Sequence, residues 1–262
     1  MQKNAFTLTI ATFVSGIFGF FLRWLQNMNG FDDAGLAIPG ATISVTVTVY
    51  TILVLILFFL EERLYLRKLG RSGEAGEALA LPSFVIKVLL WAAAAFMVIG
   101  SLIYMFSSDF SRFPTMQRIT GALGIFAGLC FPFICKRKNA FQEGGASMAG
   151  VIVPVAFACF WLVTAYRIVA ENPILWSYAP RILAIIAILL AFYYIAAYAF
   201  HRAKPARCIF FLQSSAYFGI FTLMDKLSTA ETFMFIACSA VSLIFQYVII
   251  NNAEKAAKSA EG

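Results

Sequence analysis

From Ile182 to Phe200 the chain runs without one charged residue, glycine or proline. A helix crossing a hydrocarbon layer about 30 Å thick needs roughly 20 predominantly apolar residues. Eight stretches meet that requirement: Phe6–Asn27, Ala41–Leu60, Phe84–Phe106, Met116–Cys135, Gly150–Ala170, Arg181–Phe200, Cys208–Met224 and Thr232–Ile250. The other design that crosses a bilayer, a β-barrel, is written in alternating segments of about ten residues. Runs this continuous do not fit it. The sequence therefore predicts an all-α polytopic membrane protein in which the 262 residues form a single transmembrane domain. Composition agrees, with 61% hydrophobic and only 13% charged residues against about 25% charged in soluble domains.

The net charge of +7 gains meaning once it is divided by side. With the N-terminus inside, fourteen of the twenty Lys and Arg fall at the inner ends of the spans. They include Lys3, Arg63, Arg67, Lys68, Lys136, Arg137, Lys138, Arg202, Lys204, Arg207, Lys255 and Lys258. Six fall outside: Arg23, Arg112, Arg118, Arg167, Arg181 and Lys226. The acids divide almost evenly, so the whole positive excess lies on one face. Basic residues in short loops favour the cytoplasm. The expectation is four hairpins in the cytoplasmic (inner) membrane with both termini cytoplasmic, anchored by basic stops on membrane lipids. The first span is too long for a cleaved leader and no A-x-A site follows it, so it reads as a retained anchor. The remaining gaps are too short for an output domain or a nucleic-acid surface.

Several chemistries lack their residues. Cys130, Cys135, Cys159, Cys208 and Cys238 are odd in number and lie within spans or at their inner ends, which argues against a disulfide framework. Cys130-x4-Cys135 has no histidine or further thiolate beside it, so no metal ligand set is expected. His201 is the single histidine and sits next to Arg202 at the inner rim. No nucleophile motif, zinc-protease motif or phosphate-cradling loop is present, and no cofactor is implied. An enzyme is the third-ranked reading.

No ionisable residue falls near the middle of any span, where proton relays and ion-coupled sites place theirs. The most polar candidates at that depth are Gln213, Ser214, Ser215, Ser239 and Ser242, which helix–helix hydrogen bonding accounts for. A permease remains the second reading. It requires a continuous polar path joining the Thr-rich face of the second span to Gln213–Ser215. That second span alternates Thr42, Ser44, Thr46 and Thr48 with apolar residues in the period of a strand, but nine apolar residues follow. An open strand cannot sit in lipid, so a helix is expected, with hydroxyls bonding back one turn.

The outer rim carries the residues best suited to recognition. Arg23, Arg118, Arg167 and Arg181 lie at the ends of four different spans, accompanied by Trp24 and Trp176. Guanidinium groups match carboxylate and phosphate geometry. If the four converge over one pocket, they bind an anionic small molecule or a lipid headgroup, with Asp32 and Asp33 of the first loop closing the site. The leading expectation is a non-catalytic accessory or receptor-like component, working with a protein partner that the sequence does not specify. Two local signals complete the reading. Ser228 and Glu231 have the spacing of a capping box. Ser15-x3-Gly19 and Gly124-x3-Gly128 mark faces where helices approach closely.

Overall fold

A computed structural model describes residues 3–32, 36–63, 78–81, 83–107, 114–135, 146–170, 175–200, 202 and 204–261. Among the described residues there are eight helices: α1 (Lys3–Asn29), α2 (Thr42–Glu61), α3 (Phe84–Phe106), α4 (Pro114–Ile134), α5 (Ala146–Ala170), α6 (Leu175–Ala199), α7 (Pro205–Thr222) and α8 (Thr229–Glu261). Among the described residues there is no strand, only one bridge between Phe31 and Ala37. Seven of the helices are long and apolar enough to cross a membrane. The chain is an all-helical, multi-pass membrane protein.

The Thr-rich segment of α2 is helical, and Thr46 and Thr48 donate to the carbonyls of Thr42 and Ser44 at 2.9 and 2.8 Å. Two boundaries differ from expectation by well over a helical turn. Helix α6 begins at Leu175 and continues through Pro180, so Trp176 and Tyr178 lie on the helix rather than before it. Helix α8 does not stop at Ile250 but runs to Glu261. The Asn252 amide fixes this extension by donating to the carbonyls of Ala78 and Ala80 at 3.0 and 2.8 Å.

Helices α3 to α8 pack each against the next, and α8 closes onto α3. The result is a ring of six. Helix α1 lies outside this ring against α7 and α8, and α2 lies against α1 and α7. Small residues set the close approaches. A Cβ on Gly100 would meet the Ala230 carbonyl of α8 at 2.9 Å, and one on Gly128 would meet Met97 of α3 at 3.1 Å. A Cβ on Gly124 would collide with the Ser101 hydroxyl. On the hairpin side, Cβ atoms on Gly16 and Gly19 would stand 3.0 Å from Ile220 and Tyr217 of α7.

Contacts between helices that are not neighbours in the ring reveal its axis. Phe131 of α4 meets Phe192 of α6 with centroids 5.6 Å apart, and Trp161 of α5 meets Phe235 of α8 at 4.7 Å. These four rings are buried, and Phe157 packs on Trp161 at 5.4 Å. The ring is closed by an aromatic plug.

Helix α7 is the one not counted among the seven, and its setting explains why. It touches α6, α8, α1 and α2, and its residues from Leu212 to Thr222 are buried without interruption. A helix shielded from lipid on all sides has room for Gln213, Ser214 and Ser215. Its pairings run antiparallel to both ring neighbours. Thr222 reaches the Pro180 carbonyl at one end while Phe211 stacks on Tyr194 of α6 at 5.2 Å near the other. Ser215 meets Ser242 of α8 at 2.8 Å.

Candidate functional site

The axis becomes polar at the end of the bundle where the two helices of each hairpin join. Arg181, near the start of α6, forms an ion pair with Glu231 in the first turn of α8. Glu231 is already engaged in its own helix. Its carboxylate accepts from the Ser228 N–H at 3.3 Å, and its N–H donates to the Ser228 hydroxyl at 3.3 Å. The capping box read from the sequence is therefore present. It also presents a carboxylate to an arginine of another helix, which the spacing alone did not reveal.

A second pair adjoins the first. Arg23 Nε donates to Asp225 Oδ1 at 2.6 Å, and Arg23 Nη1 donates to Gln26 Oε1 at 2.7 Å. The guanidinium lies 5.5 Å from the ring centroid of Phe31 and 5.8 Å from that of Phe221. Phe31 belongs to the first loop and lies against Arg23 with its aromatic ring. The loop folds tightly: Asp32 Oδ1 accepts from the Leu36 N–H at 2.7 Å, and Gly40 turns the chain with φ of 75°.

Asp225 joins the two pairs, since both Arg23 and Arg181 act on its charge. Burial pushes its carboxyl above the ordinary aspartate value, against the pull of Arg23, the neighbouring Asn27 amide and Arg181. The arginines thus compensate only part of the cost of taking this carboxylate out of water. Arg181 also acts on buried Tyr104 of α3, across the ring axis. Around this point Gln117 donates to the Tyr104 and Ser107 carbonyls at 2.6 and 2.7 Å, and the Thr120 and Thr164 hydroxyls meet at 3.0 Å. Arg181 Nε, Asp225 Oδ2, Ser101 Oγ and Trp161 Nε1 are buried without a hydrogen-bond partner among the described residues. Such groups cost free energy unless something else satisfies them.

The structure treats the expected site residues unequally. Arg23 and Arg181 enter the bundle with 2% and 6% exposure. Arg118 and Arg167 are exposed on its flank, so the four arginines do not meet over one pocket. The reason is azimuth: adjacent positions on a helix differ by about 100°, and only packing decides which one turns inward. Trp24, next to Arg23, is 41% exposed for the same reason. Asp32 is exposed and spends its carboxylate on its own loop. Asp33 lies outside the described residues, as does the side chain of Trp176. Nothing in the sequence pattern marks Asp225, Glu231 or Trp161 for this role, apart from Asp225 being the one acid of the 223–228 connection.

The polar candidates of α7 and α8 are used between helices. Gln213 donates to Glu61 at 2.7 Å, and the Thr51 and Tyr217 hydroxyls meet at 2.9 Å. These two contacts join α2 to α7, but the residues between them on α2, Ile52 to Leu60, are all apolar. Phe58 packs on Tyr217 inside that interval. Comparison with protein families, with curated proteins and with solved structures finds no match for this chain.

Proposed function

We propose that this chain is a non-catalytic membrane protein that binds a small ligand, free or as a lipid headgroup, through an anionic group at Arg181. The observation carrying the reading is a buried guanidinium on the ring axis whose Nε lacks a partner and whose counter-charge, Glu231, comes from a different helix. A ligand oxygen competes with that carboxylate for the same donors. Charge interactions gain strength as the local dielectric falls, so a buried arginine is a better anchor than one at the solvated flank. Arg118 and Arg167 are left as anchors for the surrounding headgroups.

The aromatic plug supports binding over transport along the axis. Phe131 and Phe192 lie about 16 Å inward from Arg181, counting eleven residues of α6 at 1.5 Å each. They leave the polar end closed beneath. The permease reading needs a polar route, and the link between α2 and α7 breaks into two separate contacts.

In this reading all eight helices cross the membrane. Eighteen residues of α7 span about 27 Å, and it pairs antiparallel with two crossing neighbours. The polar end faces outward and both termini are cytoplasmic, as the distribution of Lys and Arg favours. The protein resides in the cytoplasmic membrane, and a partner protein takes up its signal.

A thermal-shift screen of anionic metabolites and lipid headgroups tests the proposal. Ligands that stabilise the wild type are expected to lose their effect in Arg181→Gln and keep it in an Arg118→Ala, Arg167→Ala double variant. Stabilisation that instead vanishes with the flank arginines overturns the reading, and so does a screen without a stabilising ligand.

A further inference from the structure

The polar cluster is not a plain anion site, because its charges already balance. Two guanidinium groups, Arg23 and Arg181, face two carboxylates, Asp225 and Glu231. All four side chains are at least nine-tenths buried, with exposures of 2%, 8%, 9% and 1%. What the cluster lacks is one partner of each polarity. Arg181 Nε is a donor without an acceptor, and Asp225 Oδ2 is an acceptor without a donor. Both belong to one electrostatic unit, since Asp225 feels Arg181 as well as Arg23.

From these two vacancies we infer that the ligand is a zwitterion, an anionic oxygen group and an ammonium carried on one molecule. The inference rests on the binding reading given above and narrows its ligand class. A simple anion entering here leaves the cluster with a buried net negative charge, which is costly in a low-dielectric site. A molecule carrying both charges keeps the cluster neutral and satisfies both atoms. Its oxygen accepts from Arg181 Nε, and its ammonium donates to Asp225 Oδ2. Free amino acids have this chemistry, and so does the phosphoethanolamine headgroup of a lipid. The 223–228 connection, which carries Asp225 and is held by the hydrogen bonds Asp225 N–H to Thr222 O at 2.9 Å and Leu227 N–H to Asp225 O at 2.7 Å, is the part that yields on entry.

The test uses the full chain in detergent, with thermal unfolding as readout and probes that separate the charges. Glycine is compared with acetate and methylamine, and glycerophosphoethanolamine with inorganic phosphate, all at one concentration. Expected is a rise of a few degrees with a zwitterion and none with its single-charge fragments. In Asp225→Asn, which makes the cluster net positive, the order is expected to reverse, with acetate or phosphate stabilising more than their zwitterionic counterparts. Reconstitution into nanodiscs identifies the source: stabilisation by phosphatidylethanolamine over phosphatidylglycerol marks a lipid headgroup, and a response to free glycine alone marks a soluble ligand. If acetate or phosphate stabilises the wild type as well as the zwitterion does, the inference fails while anion binding at Arg181 stands. If zwitterion stabilisation persists unchanged in Asp225→Asn, the ammonium is bound elsewhere and the inference fails. If no probe stabilises the protein, free or as lipid, both readings fail.

Discussion

Helices α2 and α8 are both apolar enough to cross a bilayer, yet 17% of the apolar window of α2 is buried in protein and 67% of that of α8. The difference shows what hydropathy measures in a membrane chain. Lipid tails solvate leucine as well as other leucines do, so an apolar helix gains nothing by leaving lipid for protein. Placement comes from other terms. In the six-helix ring these are close approach at Gly100, Gly121, Gly124 and Gly128 and an aromatic filling. In the α1–α2 hairpin the close approach of Gly16 and Gly19 to α7 is joined by hydrogen bonds: Gln246 to Thr12 at 3.0 Å, Tyr50 to the Ser15 carbonyl at 3.0 Å, and Thr51 with Tyr217.

The contrast is most directly broken at Arg181. Glu231→Gln leaves the guanidinium charged and buried without its counter-ion, and breaking such a pair costs about 3–5 kcal/mol. A large loss of melting temperature in detergent is expected, and a wild-type melting temperature means that the ring does not depend on its polar end. Next in size is Gly124→Leu. Its added bulk falls on Ser101 and Phe157, and overpacking costs about 1–3 kcal/mol. An unchanged unfolding profile places that face against lipid instead of α3.

A pH titration of stability probes the joint between the two regions, because Asp225 links the ring to α1. Its carboxyl is held above the ordinary aspartate value, so the folded state binds the proton more tightly than the unfolded state does. Stability then rises as pH falls from the raised value toward the ordinary carboxylate range, and declines as pH rises through the raised value. Asp225→Asn is expected to flatten this slope, and an equal slope in the variant assigns it to another group. The smallest effect belongs to the hairpin. Thr51→Val removes one interhelical hydrogen bond, worth about 0.6 kcal/mol between membrane helices. A loss as large as that of Gly124→Leu would falsify the distinction between pinned hairpin and packed ring.

Much of the fold was legible because it is local. Apolar runs mark the helices, and the Ser228–Glu231 spacing marks the start of α8. What lay beyond reach was azimuth. Nothing in the neighbourhood of Arg23 or Arg118 along the chain distinguishes them, yet one is sealed between Phe31 and Phe221 and the other is exposed. The end of α8 was misjudged because Asn251, Asn252 and Glu254 read as a polar tail. Asn251 and Glu254 are buried, and Asn252 binds backbone carbonyls far away in sequence. The site was half legible: its arginines stood out by charge, while the carboxylates that complete it looked like ordinary loop and cap residues.

The pairing of Arg181 with Glu231 also sets an order of events during synthesis. The arginine emerges about fifty residues before the glutamate that neutralises it, with all of α7 between them. While α6 is entering the membrane, neither Glu231 nor Asp225 has been made, so the Arg181 guanidinium extends to the headgroup level. Withdrawal of Arg181 onto the axis waits until α8 has entered and its first turn has formed. The ring can close only after the ribosome has delivered α8, so a chain interrupted within α7 keeps its Arg181 guanidinium outside the bundle axis.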